Sequence, residues 1–381
     1  MVPQRKPEAE RRRRRGGVPP AVLLAALLAG CSPAYVLRAG YEEARILWRR
    51  QPIEQVLAAG AVDAGERTKL ELVLAARDFA GRQLGLRTGG SYASLSRNDD
   101  AAVVHVVSAA ERFRLQPYTW WFPVVGRVPY KGFFDPVRAR REAARLEAEG
   151  YDTWVRPAGG FSTLGWFDDP LLTSQLRLGR EDLVNLVLHE LLHTTSYTPG
   201  QAAFSESFAS FVGFRGAMAF FTGRGEADAA GRVADEWHDA VAFSQFLGRA
   251  LPRLEAAYAA GVTVDERSRL FATLQRDWAA VPQRTDRYRG FAERTLNNAI
   301  VLQIRVYHER LDLFDAILAA RDGDLAATLQ AVIEASEGVA DPFAAVAVLA
   351  PGSGLEAAQP LDAETAGDEE GGRAQGGREQ E

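Results

Sequence analysis

The sequence predicts an α+β fold in which a mixed lobe, built around one buried helix, is followed by a mainly α-helical lobe. Two observations lead to this prediction. Valine-rich or aromatic stretches with strand character occur in the first half of the chain, at Ala101 to Ser108 and at Tyr151 to Arg156. After Gln201, almost every segment has the amphipathic spacing of a helix, interrupted by Gly and Pro.

The amino terminus has the composition of an export signal. Basic side chains at Arg5, Lys6 and Arg11 to Arg15 precede an apolar stretch from Ala21 to Ala29. That stretch has the length of a signal-peptide core and is too short to span a bilayer. The flanking pattern of a twin-arginine signal is missing, so residues 1–30 are predicted to be a Sec-type signal peptide.

The segment Leu28-Ala29-Gly30-Cys31 resembles the bacterial lipobox, in which cleavage before the cysteine leaves that residue lipidated. Cys31 is the only cysteine, which excludes an intramolecular disulfide. In the sorting pattern that this resembles, an Asp after the cysteine retains a lipoprotein at the inner membrane, whereas Ser32 stands here. We therefore expect a lipid-anchored protein of the bacterial cell envelope, on the outer membrane and facing the periplasm.

Loss of residues 1–30 would leave 38 basic and 48 acidic side chains, a formal charge of −10. Nucleic-acid binding requires a positively charged surface, and this acidic chain has no stripe of basic residues. No nucleic-acid partner is therefore expected. Residues 351–381 contain almost no large apolar side chain and are predicted to form a disordered acidic tail. Residues 31–350 remain as one unit, with residues 31–222 as the α+β lobe and residues 223–350 as the helical lobe.

Turn signals divide the unit into elements. In the first lobe, helices are predicted at Tyr35 to Arg50, before Pro52, at Arg67 to Leu84, after Asp63-Ala64-Gly65, and at Arg138 to Gly150, before the second strand. In the second lobe, helices are predicted at Arg232 to Ala260, Asp265 to Val281, Arg287 to Arg310 and Leu313 to Ala335.

A helix predicted from Glu181 to Thr195 carries the sequence His189-Glu190-Leu191-Leu192-His193. On a helix, this spacing places two imidazoles one turn apart on one face with a carboxylate beside them, which is the pattern of a zinc site with its own base. Only five histidines occur in the chain. The flanking residues are apolar almost all the way round, which indicates a buried helix.

A catalytic zinc takes three protein ligands, so one further ligand must come from elsewhere. Glu206 is the first Asp, Glu, His or Cys after His193. On a second helix it would share a stripe with Ser210, Gly213 and Ala217, small residues that let the two helices approach closely. A helical hairpin would then carry all three ligands. If Glu206 is not the third ligand, Glu226 and Asp228 are the alternatives.

These residues resemble the zincin metallopeptidases of the glutamate-ligand (gluzincin-like) kind and, within them, the bacterial lipoproteins described as putative aminopeptidases. Ser205-Glu206-Ser207-Phe208-Ala209 is similar to their Asn-Glu-Ser-Phe-Ala segment, with Ser205 in place of the usual Asn. Further similar stretches are Trp121 to Gly126, Pro129 to Phe134, Phe161 to Pro170, and Leu296 to Ala299 with Tyr307. The resemblance covers about Cys31 to Phe343 and implies a zincin-like catalytic lobe and a peptide substrate.

The predicted activity is that of a zinc metallopeptidase, with Zn²⁺ held by His189, His193 and Glu206 and with Glu190 as the general base rather than a ligand. Aminopeptidase action is favoured; the alternatives are a zinc endopeptidase and a structural or binding lipoprotein with a non-catalytic zinc site. The segment Phe161 to Asp169 is predicted to form the cleft edge that a peptide joins as a strand.

The pattern leaves alternatives open for the residues that would support the zinc and its base. By resemblance, a tyrosine or histidine donates a hydrogen bond to the oxyanion, and Tyr197, Tyr307 and His308 remain as candidates. Asp168 and Asp169 are predicted either to hold the α-ammonium group of a substrate or to form a surface Asp-Asp-Pro turn. Neither a Gly-x-Ser-x-Gly sequence nor a Walker A loop is present.

Overall fold

The computed structural model describes residues 40–41, 44–98, 104–122, 126–158 and 168–351. The predicted signal peptide with Cys31, the tail beyond residue 351, and residues 161–167 of the predicted cleft segment lie outside these ranges. Within them, no helix is both long enough and apolar enough to cross a membrane.

Eight short strands form in the described residues. They are β1 (Arg50–Pro52), β2 (Ser94–Ser96), β3 (Val104–Glu111), β4 (Trp120–Phe122), β5 (Gly126–Val128), β6 (Tyr130–Phe133), β7 (Tyr151–Ala158) and β8 (Leu171–Leu172). Their orders are β1-β2-β8, β6-β3-β7 and β4-β5, and only the β2–β8 pair is parallel.

Helices account for most of the remaining described residues. They are α1 (Ile53–Ala59), α2 (Ala64–Gln83), α3 (Pro136–Ala148), α4 (Arg180–Thr195), α5 (Ala202–Gly223), α6 (Ala227–Ala259), α7 (Val264–Ala279), α8 (Arg289–Glu293), α9 (Asn298–Val306), α10 (Leu311–Ala319), α11 (Leu325–Ser336) and α12 (Pro342–Ala347). Small sheets early in the chain and helices after Gln201 confirm the α+β prediction. The division into lobes at residue 222 stays a prediction.

The predicted helix from Tyr35 to Arg50 is only partly covered by the described residues. Of these, residues 40–41 and 44–48 are helical. The strand predicted at Ala101 to Ser108 corresponds to β3, although residues 101–103 lie outside the described ranges. The strand predicted at Tyr151 to Arg156 is β7, which continues to Ala158.

Two of the helices predicted in the second half are wrong as single helices. The segment Arg287 to Arg310 is interrupted between α8 and α9, because the Asn297 side chain caps the amino terminus of α9. The segment Leu313 to Ala335 is interrupted between α10 and α11, where Gly323 has a φ of 79° and Asp324 caps α11. Cap residues and a left-handed turn thus end helices that the apolar spacing alone would continue.

The sheet β6-β3-β7 has two differently used faces. Because side chains alternate along a strand, Val107 and Ala109 of β3 lie on one face, where they pack with Phe133 against α3. Ser108 lies on the opposite face and donates a hydrogen bond of 2.7 Å to the Gln303 side chain of α9. This second face also carries Tyr130, which is paired with Ser108 in the register of β3 and β6.

Close packing of α4 on α5 depends on small residues of the predicted stripe. A Cβ atom at Gly213 would lie 2.4 Å from the side-chain oxygen of Asn185, and one at Gly216 would lie 2.8 Å from a methyl carbon of Leu188. At distances below 3.0 Å a neighbouring atom must shift, so a side chain at either position would disturb this approach. Ala217 is also fully buried.

Hydrogen bonds from the Asn298 side chain connect α9 to the end of β3. This side chain is fully buried. The amide nitrogen donates to the carbonyl oxygens of Glu111 and Arg112 at 2.7 and 3.1 Å, and the amide oxygen accepts from the Tyr258 hydroxyl at 2.8 Å. Since Tyr307 directly follows α9, these bonds also fix the place where Tyr307 can lie.

Candidate metal centre

Three potential ligands meet where the first turn of α5 crosses the second half of α4. The Nε2 atom of His189 lies 3.2 Å from Oε2 of Glu206 and 3.3 Å from Nε2 of His193. The remaining side of this triangle, from His193 Nε2 to Glu206 Oε2, measures 3.4 Å. Among the described residues, this is the group of His, Cys, Asp and Glu side chains arranged to hold a metal ion.

The triangle matches the size of a zinc site. In a tetrahedral site with bonds of about 2.0–2.1 Å, neighbouring ligand atoms lie roughly 3.3–3.4 Å apart. The three measured separations fall at this value, and the donor set of two imidazoles and one carboxylate is one that zinc accepts. The residues present therefore fit a zinc ion.

Charge in the cluster keeps Glu206 in the ionised form that binds metal. Burial acts to raise the pKa of Glu206, but His193 and His189 outweigh it and hold this pKa well below its usual range. Burial also acts to lower the pKa of His193, whereas Glu206 and, to a smaller extent, Glu190 raise it. The Glu206 carboxylate is consequently ionised, which metal ligation requires.

Tyr130 supports Glu206 from the sheet. Its hydroxyl donates to Oε1 of Glu206 at 3.3 Å, while Oε2 of the same carboxylate faces the two histidines. Burial and the nearby Glu206 raise the pKa of Tyr130 well above 10, so the hydroxyl keeps its proton. Metal-ligating carboxylates commonly accept such a bond, which fixes their orientation. Sequence reasoning placed Tyr130 only in a stretch similar to the family and gave it no role.

Glu190 lies beside His189 but is not one of the three clustered ligands. Its Oε2 atom is buried and has no hydrogen-bond partner among the described residues. Its charge raises the pKa of Tyr92 and of Tyr307, although burial is the largest influence on both hydroxyls. A carboxylate oxygen that no described side chain engages is available to accept a proton.

Two of the three candidate oxyanion donors lie against the ligand histidines. The Tyr307 ring stacks on His189, with centroids 6.3 Å apart and planes inclined by 26°. The Tyr197 ring lies edge-on to His193, also at 6.3 Å. Burial and the Glu206 charge raise the pKa of Tyr197 to about 12 and that of Tyr307 still higher. Both hydroxyls are thus donors at neutral pH.

The third candidate, His308, is occupied elsewhere. Its Nδ1 atom lies 2.8 Å from the Ile304 carbonyl oxygen, and its Nε2 atom lies 3.0 Å from the Tyr288 hydroxyl. Burial lowers the pKa of His308 to about 4, so the ring is neutral. With Nδ1–H donating and Nε2 accepting, neither nitrogen is left to donate to a substrate.

Asp168 contacts Gly90 and Arg50 rather than the ligand cluster. One carboxylate oxygen accepts a hydrogen bond of 2.8 Å from the Gly90 amide, and its carbonyl oxygen accepts one of 3.1 Å from Arg50. A Cβ atom at Gly90 would come within 2.5 Å of the Asp168 carboxyl group. Asp169 is buried, and its carbonyl oxygen accepts from the Tyr92 amide at 2.7 Å. Residues 168–170 have no assigned turn and Asp169 is buried, so the predicted surface turn is not observed.

The other residues considered from the sequence lie apart from the described ligand cluster. Glu226, an alternative third ligand, forms ion pairs with Arg180 and Arg224, both at 2.7 Å. Of the remaining histidines, His105 lies on β3, and the half-exposed His238 lies on α6 beside Asp239.

A family model described as "Putative aminopeptidase" matches residues 34–340. No curated protein and no solved structure shows a match. The matched region includes every described residue up to Ala340 and therefore contains all the side chains of the candidate metal centre. The chain therefore belongs to the putative aminopeptidase family.

Proposed function

We propose that this protein is a zinc-dependent aminopeptidase that hydrolyses peptides with Glu190 as general base. The observation that carries the proposal is the triangle of donor atoms from His189, His193 and Glu206, with sides of 3.2–3.4 Å and with Glu190 adjacent. Membership of the family supports peptidase activity at a coarse level. Three ligands rather than four are typical of a catalytic zinc.

A zinc ion bound by these three residues would polarise the scissile carbonyl and lower the pKa of a coordinated water toward about 7. Glu190 accepts the proton of the attacking water and transfers it to the leaving amine. Tyr307 and Tyr197, which keep their protons at neutral pH, are the donors available to the developing oxyanion. Tyr130 keeps Glu206 oriented toward the histidines.

The decisive variant is Glu190→Gln, which removes the base and leaves the three ligands in place. We expect full zinc content and a fall in kcat of at least about a hundredfold, the lower end for a general acid–base group. Glu181→Gln, at the start of the same helix and ion-paired to Arg232, is the matched control and should keep its activity. Metal analysis and peptide hydrolysis, each with and without chelator, measure both quantities.

Comparable activity of Glu190→Gln would remove Glu190 from the mechanism. Stoichiometric zinc without any peptide hydrolysis by the wild-type protein would instead support a non-catalytic zinc site.

The position of cleavage needs a separate comparison. An aminopeptidase must accommodate a free α-ammonium group near the metal, whereas an endopeptidase need not. We expect a peptide with a free amino terminus to be cleaved faster than its acetylated form. Equal cleavage of the two peptides would rule out aminopeptidase action and leave a zinc endopeptidase.

We further propose that Cys31 is lipidated and anchors the protein in the bacterial envelope, at the outer membrane. The support is the sequence alone: an apolar segment from Ala21 to Ala29 followed by Leu28-Ala29-Gly30-Cys31. Cys31→Ser should abolish signal-peptide processing at this site and membrane attachment, as fractionation would show. Equal processing and equal membrane association of both proteins would contradict the anchor.

A further inference from the structure

Arg156 lies on the face of the sheet that is turned toward the metal centre. It belongs to β7, which is an edge strand of the sheet β6-β3-β7. In the register, Arg156 pairs with Val106, two residues before Ser108, which pairs with Tyr130. Because alternate residues share a face, Arg156 lies on the same side as Tyr130, whose hydroxyl contacts Glu206.

The contacts of Arg156 are aromatic. Its guanidinium group lies 5.8 Å from the ring centre of Trp154 and 5.8 Å from that of Tyr307. The nearest polar contact is a long one, in which Nη2 donates to the Tyr307 hydroxyl at 3.5 Å. The two rings hold the planar group in place, because arginine stacks well on aromatic faces.

No carboxylate of the described residues pairs with Arg156. Arg77 and Arg321 also form no ion pair but donate to backbone carbonyl oxygens, whereas Arg156 has only the long bond to the Tyr307 hydroxyl. Arg215 pairs with Asp315 at 2.6 Å, and Arg287 pairs with Asp182 at 2.9 Å and with Glu236 at 2.8 Å. A cation withdrawn from water normally has such a partner, since burial of an unpaired charge is costly. The guanidinium fork of Arg156 matches a carboxylate in shape and charge.

Tyr307 joins Arg156 to the metal ligands. Arg156 donates a hydrogen bond to the hydroxyl group of Tyr307. The ring of Tyr307 stacks on His189, with the ring centroids 6.3 Å apart. The guanidinium group lies 5.8 Å from the centre of this ring, so a carboxylate held by Arg156 would lie within about four residues of His189, since an extended chain advances roughly 3.3–3.6 Å per residue.

We propose that Arg156 is a substrate-binding residue that holds a carboxylate of the residue on the leaving side of the scissile bond. This inference rests on the proposed peptidase function. The carboxylate is either the free α-carboxylate of a dipeptide or an acidic side chain at that position of a longer peptide. The substrates of this site are then dipeptides, or peptides whose second residue is acidic.

Two pairs of substrates distinguish these sources. Ala-Ala and Ala-Ala-amide differ only in the terminal carboxylate, and Ala-Asp-amide and Ala-Asn-amide differ only in the side chain. The experiment uses the zinc-loaded full mature chain. In one of the two pairs, we expect kcat/KM of the peptide that carries the carboxylate to exceed that of its neutral partner by about ten- to a hundredfold, the range of a charge-assisted hydrogen bond. Arg156→Gln should abolish the preference chiefly by raising KM, and Arg156→Lys should restore part of it.

A binding measurement separates this inference from the proposed chemistry. Titration of Glu190→Gln with the same peptides, followed by calorimetry, reports affinity without turnover. In the pair that shows a preference, the peptide with the carboxylate should bind more tightly than its neutral partner. Adding Arg156→Gln to the Glu190→Gln protein should remove this difference in affinity. Arg253→Gln removes an equal charge from the exposed surface of α6. It should change neither the affinity for the acidic peptide nor that for its neutral partner.

The outcomes are distinct. Metal-dependent and Glu190-dependent hydrolysis without any preference for an acid, or a preference that survives in both Arg156 variants, would overturn the role of Arg156. Tighter, Arg156-dependent binding of the acid without hydrolysis of any peptide would uphold the binding role and refute the peptidase proposal. If Arg156→Gln does not fold, Arg156→Lys and the wild-type preference still decide the question.

Discussion

The helical hairpin of α4 and α5 and the face of the sheet β6-β3-β7 meet at the same site but reach it by different means. The hairpin brings His189 and Glu206 together across only 17 positions. The contact between Arg156 of the sheet and Tyr307 spans 151 positions, and that between Tyr130 and Glu206 spans 76. The metal ligands are therefore set by local sequence, whereas the groups around them depend on the register of the whole fold.

The largest effect is expected where the hairpin supplies a ligand. Glu206→Gln replaces the carboxylate by a neutral amide of the same shape. Metal affinity should therefore fall by more than about a hundredfold, which exceeds the loss expected when only a hydrogen-bond partner of a ligand is removed. Competition with a metal indicator measures this fall. Glu226→Gln, three residues after α5 ends and ion-paired to Arg180, is the control and should bind metal normally. Unchanged affinity in Glu206→Gln would place the third ligand elsewhere.

A smaller effect is expected from the contact that holds the hairpin together. At Gly213, an added Cβ would lie 2.4 Å from the Asn185 side-chain oxygen and 3.0 Å from its carbonyl oxygen. Gly213→Ala should therefore lower the free energy of unfolding by about 1–3 kcal/mol, the usual cost of overpacking. Denaturant titration measures the change.

Gly248 provides the matched control, because it is also inside a helix but has nothing within 4 Å of an added Cβ. Gly248→Ala should leave stability unchanged or raise it by up to about 1 kcal/mol, the helix-propensity gain. Similar behaviour of the two variants would mean that the α4–α5 approach does not require glycine.

The sequence was sufficient for the hairpin because its information is local. The spacing of His189 and His193, the first ligating residue after them and the stripe containing Gly213 all lie within one short segment. The structure brings His189, His193 and Glu206 into one group that could hold a metal ion.

Tyr130 and Arg156 could not be assigned from the sequence. Strand β6 is only four residues long, and Tyr-Lys-Gly-Phe has no strong alternation that would show which side chain faces the site. The face of Arg156 follows from the pairing of β7 with β3, and a shift of one residue in that register would turn it away. The breaks at Asn297 and Gly323 were missed because apolar spacing continues across them.

The smallest predicted effect tests whether the sheet influences the metal that the hairpin binds. Tyr130→Phe removes the hydroxyl that donates to Oε1 of Glu206 at 3.3 Å and leaves the ring in place. Metal affinity should fall by about tenfold, the lower end for loss of an outer hydrogen bond to a ligand, while the fold is retained. Indicator competition and thermal unfolding of the metal-free protein measure the two quantities.

Tyr151→Phe is the control for this variant. Tyr151 lies on β7 and packs against Tyr118 with the core between the sheet and α3, on the opposite face of the same sheet. Its hydroxyl should not influence the ligands, so metal affinity should be unchanged. An equal fall in both variants would indicate a general effect on the sheet. No fall in Tyr130→Phe would mean that the hairpin alone determines metal affinity and that the sheet contributes only to the substrate side of the site.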